Sequence, residues 1–150
     1  MSENNTLESK KALVRRNFEV IWSQCNLDVA DEIIAPEYVG HIATLPDVVR
    51  GVEAFKQVVL LFHFAAPDTR FEIQDQLAEG NKVATRWVGH GTHKGEFMGI
   101  APSGQRLSVT GMSFHRLENG RIHESWDDWD ALSMLQSITE DIFQPLSMRI

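Results

Sequence analysis

The chain has 150 residues, 43% of them hydrophobic and 23% charged, with a formal net charge of −7 at pH 7. That length suits one folded domain able to bury roughly two thirds of its unfolded surface, enough for a core with a pocket. The acidic balance, with no basic cluster beyond pairs such as Lys10-Lys11 and Arg15-Arg16, opposes nucleic-acid binding, and no apolar run approaches the ~18 to 20 residues of a membrane span.

The opening Met1-Ser2-Glu3-Asn4 lacks the basic and apolar regions of a secretory signal, so a cytoplasmic location is expected. From Asn5 to about Gln24, Val14, Phe18, Ile21, Trp22 and Cys25 recur at helical spacing, and Asn5 with Glu8 resembles a capping box. Cys25 is the one cysteine, which excludes an intrachain disulfide and any multi-cysteine metal site. Its place on the apolar stripe predicts packing, not nucleophilic chemistry. A shorter helix is expected over Leu27 to Ile34, with Pro36 beyond its end. Tyr38 to Ile42 then reads as a short strand, Thr44 to Arg50 as a loop, and Gly51 to Phe64 as a third helix with Val52, Phe55, Val59 and Phe62 on one face. Ala66-Pro67-Asp68 stops it.

Beyond residue 68 the period becomes two, with Phe71, Ile73 and Leu77 alternating against Arg70, Glu72, Gln74 and Gln76. A Glu79-Gly80-Asn81 turn leads to a strand over Lys82 to His93. Gly95 to Gln105 reads as a long hairpin connection, followed by a strand from Arg106 to Arg116. Asn119-Gly120 signals a hairpin turn and an antiparallel return over Arg121 to Asp127. A last helix is expected from about Trp129 to Glu140. Helices first and strands afterwards indicate an α+β fold, a single domain over residues 1–150 in which N-terminal helices pack on one face of a curved antiparallel or mixed sheet. Such a sheet can curl into a cone around an apolar pocket.

The segment Trp126-Asp127-Asp128-Trp129-Asp130 interleaves carboxylates with indoles where strand gives way to helix. An acid held in that apolar setting has its pKa raised toward the range useful for proton transfer. Asp is also a favoured N-cap and first-turn residue, so the same acids can simply start the helix. Asp127 and Asp128 read as the strand-to-helix boundary, one of them the N-cap, and Asp130 otherwise as a first-turn residue. Glu124, Trp126, Asp128 and Asp130 share parity on an unbroken strand; a bulge or early helix start changes that. If Asn119-Gly120 forms a two-residue turn, His115 lies opposite Glu124 and Ser113 opposite Trp126. If Glu118 joins a three-residue loop, Phe114 and Met112 take those places. His115 is accordingly either a pocket group able to donate to a developing oxyanion or an exposed strand residue.

His90 and His93, with Glu96 nearby, invite a metal reading. Residues three apart on a strand face opposite ways, however, so no metal is expected unless a bulge at Gly91 brings them together; His93 is expected to order the loop toward Phe97. Arg86, in an otherwise apolar strand, would if buried need a carboxylate such as Asp75, Glu124 or Asp130. His41 is either a cavity residue or an ordinary surface histidine. Trp22 and Phe18 pack the first helix on the sheet and can also line a cavity.

Several blocks in order resemble the SnoaL-like polyketide cyclase, or ester cyclase, family of the nuclear-transport-factor-like superfamily. They are Phe18, Ile21 and Trp22; Pro36-Glu37-Tyr38-Val39 with His41; Gly51 to Phe55; and Val83, Arg86 and Trp87. Next come Gly91 through Gly99, Pro102-Ser103-Gly104, Arg116, Asn119 to Ile122, and Glu124-Ser125-Trp126 leading to Asp130. The chain departs from the pattern at Ala101, where a second proline is usual, and at Gln136 to Thr139, where a Gln-Leu-Gly ending is commoner. The resemblance implies a homodimer or higher homo-oligomer and cofactor-free, aldol-type ring closure on a small, apolar, carbonyl-rich, polyketide-like molecule. It also places Asp130 at the catalytic acid/base position. With His115 as second catalytic candidate, and Trp22, His41, Arg86 and Trp126 as substrate-binding candidates, this is the leading expectation. The alternatives are an isomerase, dehydratase or epoxide hydrolase on the same fold, or a non-catalytic binder of hydrophobic ligands.

Overall fold

Helix α1 (Leu7–Arg16) is capped by Thr6, whose Oγ1 accepts from the Ser9 N–H at 2.9 Å, and Arg15 and Arg16 complement the dipole at its far end. The structure, a computed structural model, describes residues 6–139, so the box expected at Asn5 lies outside the described residues. The helix then widens into one π-helical turn (Asn17–Trp22), with the Ser23 N–H reaching back five residues to the Phe18 carbonyl. Cys25, at φ 56°, reverses the chain into α2 (Leu27–Ile33).

Strand β1 (Ile34–Ile42) starts four residues earlier than its sequence suggests, because Ile34 and Ala35 are buried and continue directly out of α2. Pro36 is accommodated where the register with the neighbouring strand shifts, between Ile34 and Val39. Part of the expected loop pairs as a short strand, β2 (Val49–Arg50). Then follow α3 (Val52–Ala65), β3 (Arg70–Glu79), β4 (Lys82–Thr92), β5 (Arg106–Glu118), β6 (Arg121–Trp129) and α4 (Ala131–Ile138). The sheet order is β2-β1-β6-β5-β4-β3, antiparallel except for the parallel β1–β6 pair. The fold is α+β as expected, with an open mixed sheet whose edges are β2 and β3. Val14, Phe18, Ile21, Ile33, Tyr38, Phe55, Val59, Val83, Trp87 and Ile122 form the core between the helices and the inner sheet face.

The β5–β6 hairpin decides which acids face that core. Asn119 and Gly120 both have positive φ (51° and 72°), giving the two-residue turn, and Glu118 pairs with Arg121. One step on, His123 is an extra residue in β6, so Arg116 faces Glu124 and Ser113 faces Asp127. Neither simple register expected from the turn survives this bulge. Its consequence is that Ser125, Asp127 and Trp129 join His115 and Ser113 on the inner face, while Glu124, Trp126 and Asp128 turn outward.

Two glycines make room for large rings on the inner face. Trp87 lies across Gly111, its partner on β5, and Tyr38 folds over Gly40 toward Ser125, the partner of Gly40 on β6. A Cβ at either glycine would overlap the ring. Gly111→Ala is therefore expected to cost about 1–3 kcal/mol of stability through overpacking and to change the tryptophan fluorescence of the folded state. Urea melts and emission spectra measure both; an unchanged midpoint with unchanged emission would show that Trp87 does not depend on this gap.

Candidate functional site

Asp127 is half-buried on the inner face of β6 and is, among the described residues, the one carboxylate on the wall of an apolar cavity of about 140 Å³. Its two oxygens are occupied. Ser113 Oγ donates to Oδ1 at 2.5 Å and Ser125 Oγ donates to Oδ2 at 3.0 Å. Behind Ser113 stands Trp87, whose Nε1–H donates to the hydroxyl at 2.9 Å. Behind Ser125 stands Tyr38, 2.5 Å away. Because the single Ser125 proton goes to Asp127, the phenol must be the donor in that contact. Every link thus donates toward Asp127, which is the terminal acceptor of both chains. Burial, helped by the negative charge of Asp127, pushes the Tyr38 phenol far up, so it keeps the proton it donates.

The rest of the wall is largely hydrocarbon and aromatic. Phe18 and Trp22 come from the π-helical turn, Phe62 and Ala65 from α3, Phe71 from β3, Trp87 from β4, and Trp129 and Met134 from the end of β6 and α4. The long connection after β4 supplies Phe97, which packs on Phe62 (5.3 Å between ring centres) and Trp129 (6.3 Å). The wall position of Trp22 is fixed by His63, whose Nε2 donates to the Trp22 carbonyl at 2.5 Å. That carbonyl lies in the widened turn, where the regular helical bonding changes. The volume is close to that of an engineered protein cavity of ~150 Å³ that binds benzene, so it fits about one ring.

The residues singled out from sequence are dispersed by this geometry. Asp130 is not a desolvated acid: it is exposed at the N-cap of α4, accepting from the Ser133 N–H (3.1 Å) and hydroxyl (2.6 Å). The Ser133 hydroxyl, and then its N–H, hold the Asp130 carboxyl below the usual range, the opposite of the expected upward shift. Asp127, read from sequence as part of the helix boundary, is the acid that faces the cavity. Trp126 and His41 lie on the outer sheet face, stacked at 5.3 Å, with His41 Nε2 2.8 Å from Glu124. His41 first, and Arg116 after it, lower the Glu124 carboxyl. Arg86 is exposed on the same outer face, not buried against a carboxylate. Of the substrate-binding candidates, Trp22 lies on the cavity wall and the other three do not.

His115 does point inward, but it is packed in the core edge-on to Phe18 (5.8 Å), with its Nδ1 buried and unpartnered. Burial lowers its pKa, opposed only in part by the Asp127 charge, so the ring is neutral near pH 7. His90 and His93 diverge. His90 bonds Ser108 through Nδ1 (2.9 Å) and places Nε2 3.0 Å from Glu72, while His93 turns to the loop at Ser103. No group of three or more potential ligands is gathered for a metal ion among the described residues. No described helix is long and apolar enough to cross a membrane. Sequence reasoning missed Tyr38, Trp87, Ser113 and Ser125 as site residues. Their one sequence signal was the alternation Ser125, Asp127, Trp129, which points at the cavity only once the His123 bulge is known.

The sequence profile of the SnoaL-like polyketide cyclases matches residues 12–138. The fold is similar to a candidate SnoaL-like polyketide cyclase from Jannaschia sp. CCS1 (23% identity, 93% of this chain and 96% of that one, TM-score 0.82). Similarity extends to IdmH, a candidate polyketide cyclase from Streptomyces antibioticus (30% identity, 85% and 96%, TM-score 0.75). It extends also to AclR, a candidate hydroxylase from Streptomyces galilaeus (26% identity, 90% and 98%, TM-score 0.78). No curated protein matches the chain.

The buried His115 gives the site a pH-dependent stability term. The unfolded imidazole takes up a proton near pH 6.5 and the folded one only at lower pH. Stability from this group is therefore complete above about 6.5 and is lost as the pH falls from there toward the folded value, by at most about 1.4 kcal/mol per pH unit. Urea midpoints of the wild type and His115→Leu, compared between pH 7.5 and 5.5, should show a flatter profile in the variant. Equal slopes would mean that His115 titrates alike in both states.

Proposed function

The chain belongs to the SnoaL-like polyketide cyclase family, and on that premise we propose that it closes a ring by intramolecular aldol chemistry, without a cofactor, with Asp127 as general acid/base. The observation that carries this reading is a carboxylate on the wall of an apolar cavity with both oxygens held by serine hydroxyls. A carboxylate so oriented takes the proton from a carbon flanked by carbonyls, leaving an enolate. The enolate carbon bonds to a second carbonyl carbon of the same molecule, whose oxygen becomes an alkoxide. Asp127 returns its proton to that alkoxide, so protons and electrons balance with no outside reagent. The aromatic walls exclude water and hold the chain folded, which supplies proximity. A cavity of about 140 Å³ takes the segment that becomes the ring, and the remainder of a longer substrate extends through the mouth.

Self-association fits the outer face. One row across the sheet, Leu77, Ala84, Phe114, Trp126 and His41, is mostly apolar, and Leu77 and neighbouring Met112 are 71% and 62% exposed. Rows on either side carry both signs of charge: Asp75, Arg86 and Asp128 on one, Glu79, Lys82, Arg116 and Glu124 on the other. A second copy laid across this face covers the apolar row and meets opposite charges, which makes this chain itself the proposed partner.

Two variants separate the acids. Asp127→Asn should lower turnover of a linear poly-β-ketone ester by about 10²- to 10⁴-fold while retaining binding, whereas Asp130→Asn should stay within a few-fold of wild type. Product absorbance reports the rate, and undiminished turnover in Asp127→Asn would remove this acid from the mechanism. For assembly, Trp126→Asp should shift sedimentation from dimer to monomer while leaving the inner face intact. A wild-type protein that sediments as a monomer at micromolar concentration would rule out the sheet-face dimer.

A further inference from the structure

The polar group at the other end of the cavity is His93, which is 1% exposed and belongs to the cavity wall. Its tautomer follows from its neighbours. The Ser103 backbone N–H donates to His93 Nδ1 at 3.1 Å, and an N–H can only donate, so Nδ1 is an acceptor carrying no proton in the neutral ring. The Ser103 hydroxyl, 2.9 Å from the same atom, adds a second donor. The proton therefore sits on Nε2, which is buried and has no hydrogen-bond partner. Leaving a buried N–H unpaired is costly, and among the described residues nothing satisfies it. The Nδ1 edge is committed to the loop, so the ring has only its Nε2 edge left for an occupant of the cavity.

We infer that His93 Nε2–H is the oxygen-anchoring donor of the cavity, hydrogen-bonding a carbonyl oxygen of the bound molecule and selecting carbonyl compounds over hydrocarbons of the same shape. This rests on the reading of the cavity as the substrate site and adds a residue to it. Asp127 accepts and His93 donates, so the cavity wall carries a proton acceptor and a fixed donor in a largely apolar setting. An enolate or alkoxide oxygen placed at Nε2 gains more from that donor than the neutral carbonyl does, since hydrogen bonds to charged groups are the stronger ones. His93 also ties the cavity to the loop: the same ring that meets the ligand holds Ser103, and its backbone bonds Gln105 and Gly104 at 2.9 Å.

Two substitutions separate these two edges. Asn in place of His93 can offer an oxygen near the Nδ1 position to Ser103 but loses the cavity donor. Gln can place an N–H near Nε2. Binding of cyclohexanone is compared with that of methylenecyclohexane, its shape-matched hydrocarbon. The ketone-to-hydrocarbon affinity ratio should fall roughly tenfold in His93→Asn and remain near wild type in His93→Gln. A ratio unchanged in His93→Asn overturns the inference. A measurement on the unmodified protein guards against misfolded variants: the Nε2–H proton resonance of His93 should move downfield with cyclohexanone and not with methylenecyclohexane, and equal responses to the two also overturn it. Ketone selectivity and Asp127→Asn turnover are independent readouts. Failure of the acid/base reading leaves the His93 ratio to stand or fall by itself.

Discussion

The arrangement depends on one requirement: a carboxylate placed against an apolar cavity must have its oxygens bonded, because an unpaired charge there is very costly. Asp127 meets it with Ser113 and Ser125, and each serine is in turn fixed by a ring donor, Trp87 or Tyr38. Those rings reach their serines only because Gly111 and Gly40 leave space beneath them. The acid, two hydroxyls, two aromatic donors and two glycines come from β1, β4, β5 and β6. Four strands must therefore be in register before the site exists.

The bulge at His123 sorts the sheet into two chemistries. It turns Ser125, Asp127 and Trp129 toward the helices and leaves Glu124, Trp126 and Asp128 outside. The inner face becomes a site with one acid in a hydrocarbon setting. The outer face gains His41 stacked on Trp126 and the Glu124 carboxylate shared between His41 and Arg116. One inserted residue thus divides a short acidic and aromatic run between a cavity and a surface suited to another copy of the chain.

The long connection between β4 and β5 is the second organising element. Its Phe97 closes part of the cavity against Phe62 and Trp129, and its far end is held by His93. Gly95 passes so close to the Phe64 carbonyl that no side chain fits there, which pins the start of the connection to the end of α3. A segment with little regular structure is in this way fixed to both the helix layer and the sheet.

Much of the architecture was legible from periodicity. The helical stripe of Val14, Phe18 and Ile21, the alternation over Phe71 and Ile73 and the Asn119-Gly120 turn each depend on near neighbours in sequence, and each appears where expected. Leu77, expected on the same face as Phe71, is instead turned outward by the register shift between Ile73 and Asp75. The short pairing of Val49–Arg50, the early start of β1 and the widening of the first helix at Asn17 rest on tertiary partners, and the sequence does not announce them. The site divided in the same way. The sequence alone determined that an acid lies beside indoles at the end of the last strand, but it put the helix cap at Asp127 or Asp128 and the cavity acid at Asp130, the reverse of what the fold does. Which acid enters the cavity was decided by the His123 bulge, because side chains on a strand alternate and a shift of one residue exchanges inside for outside.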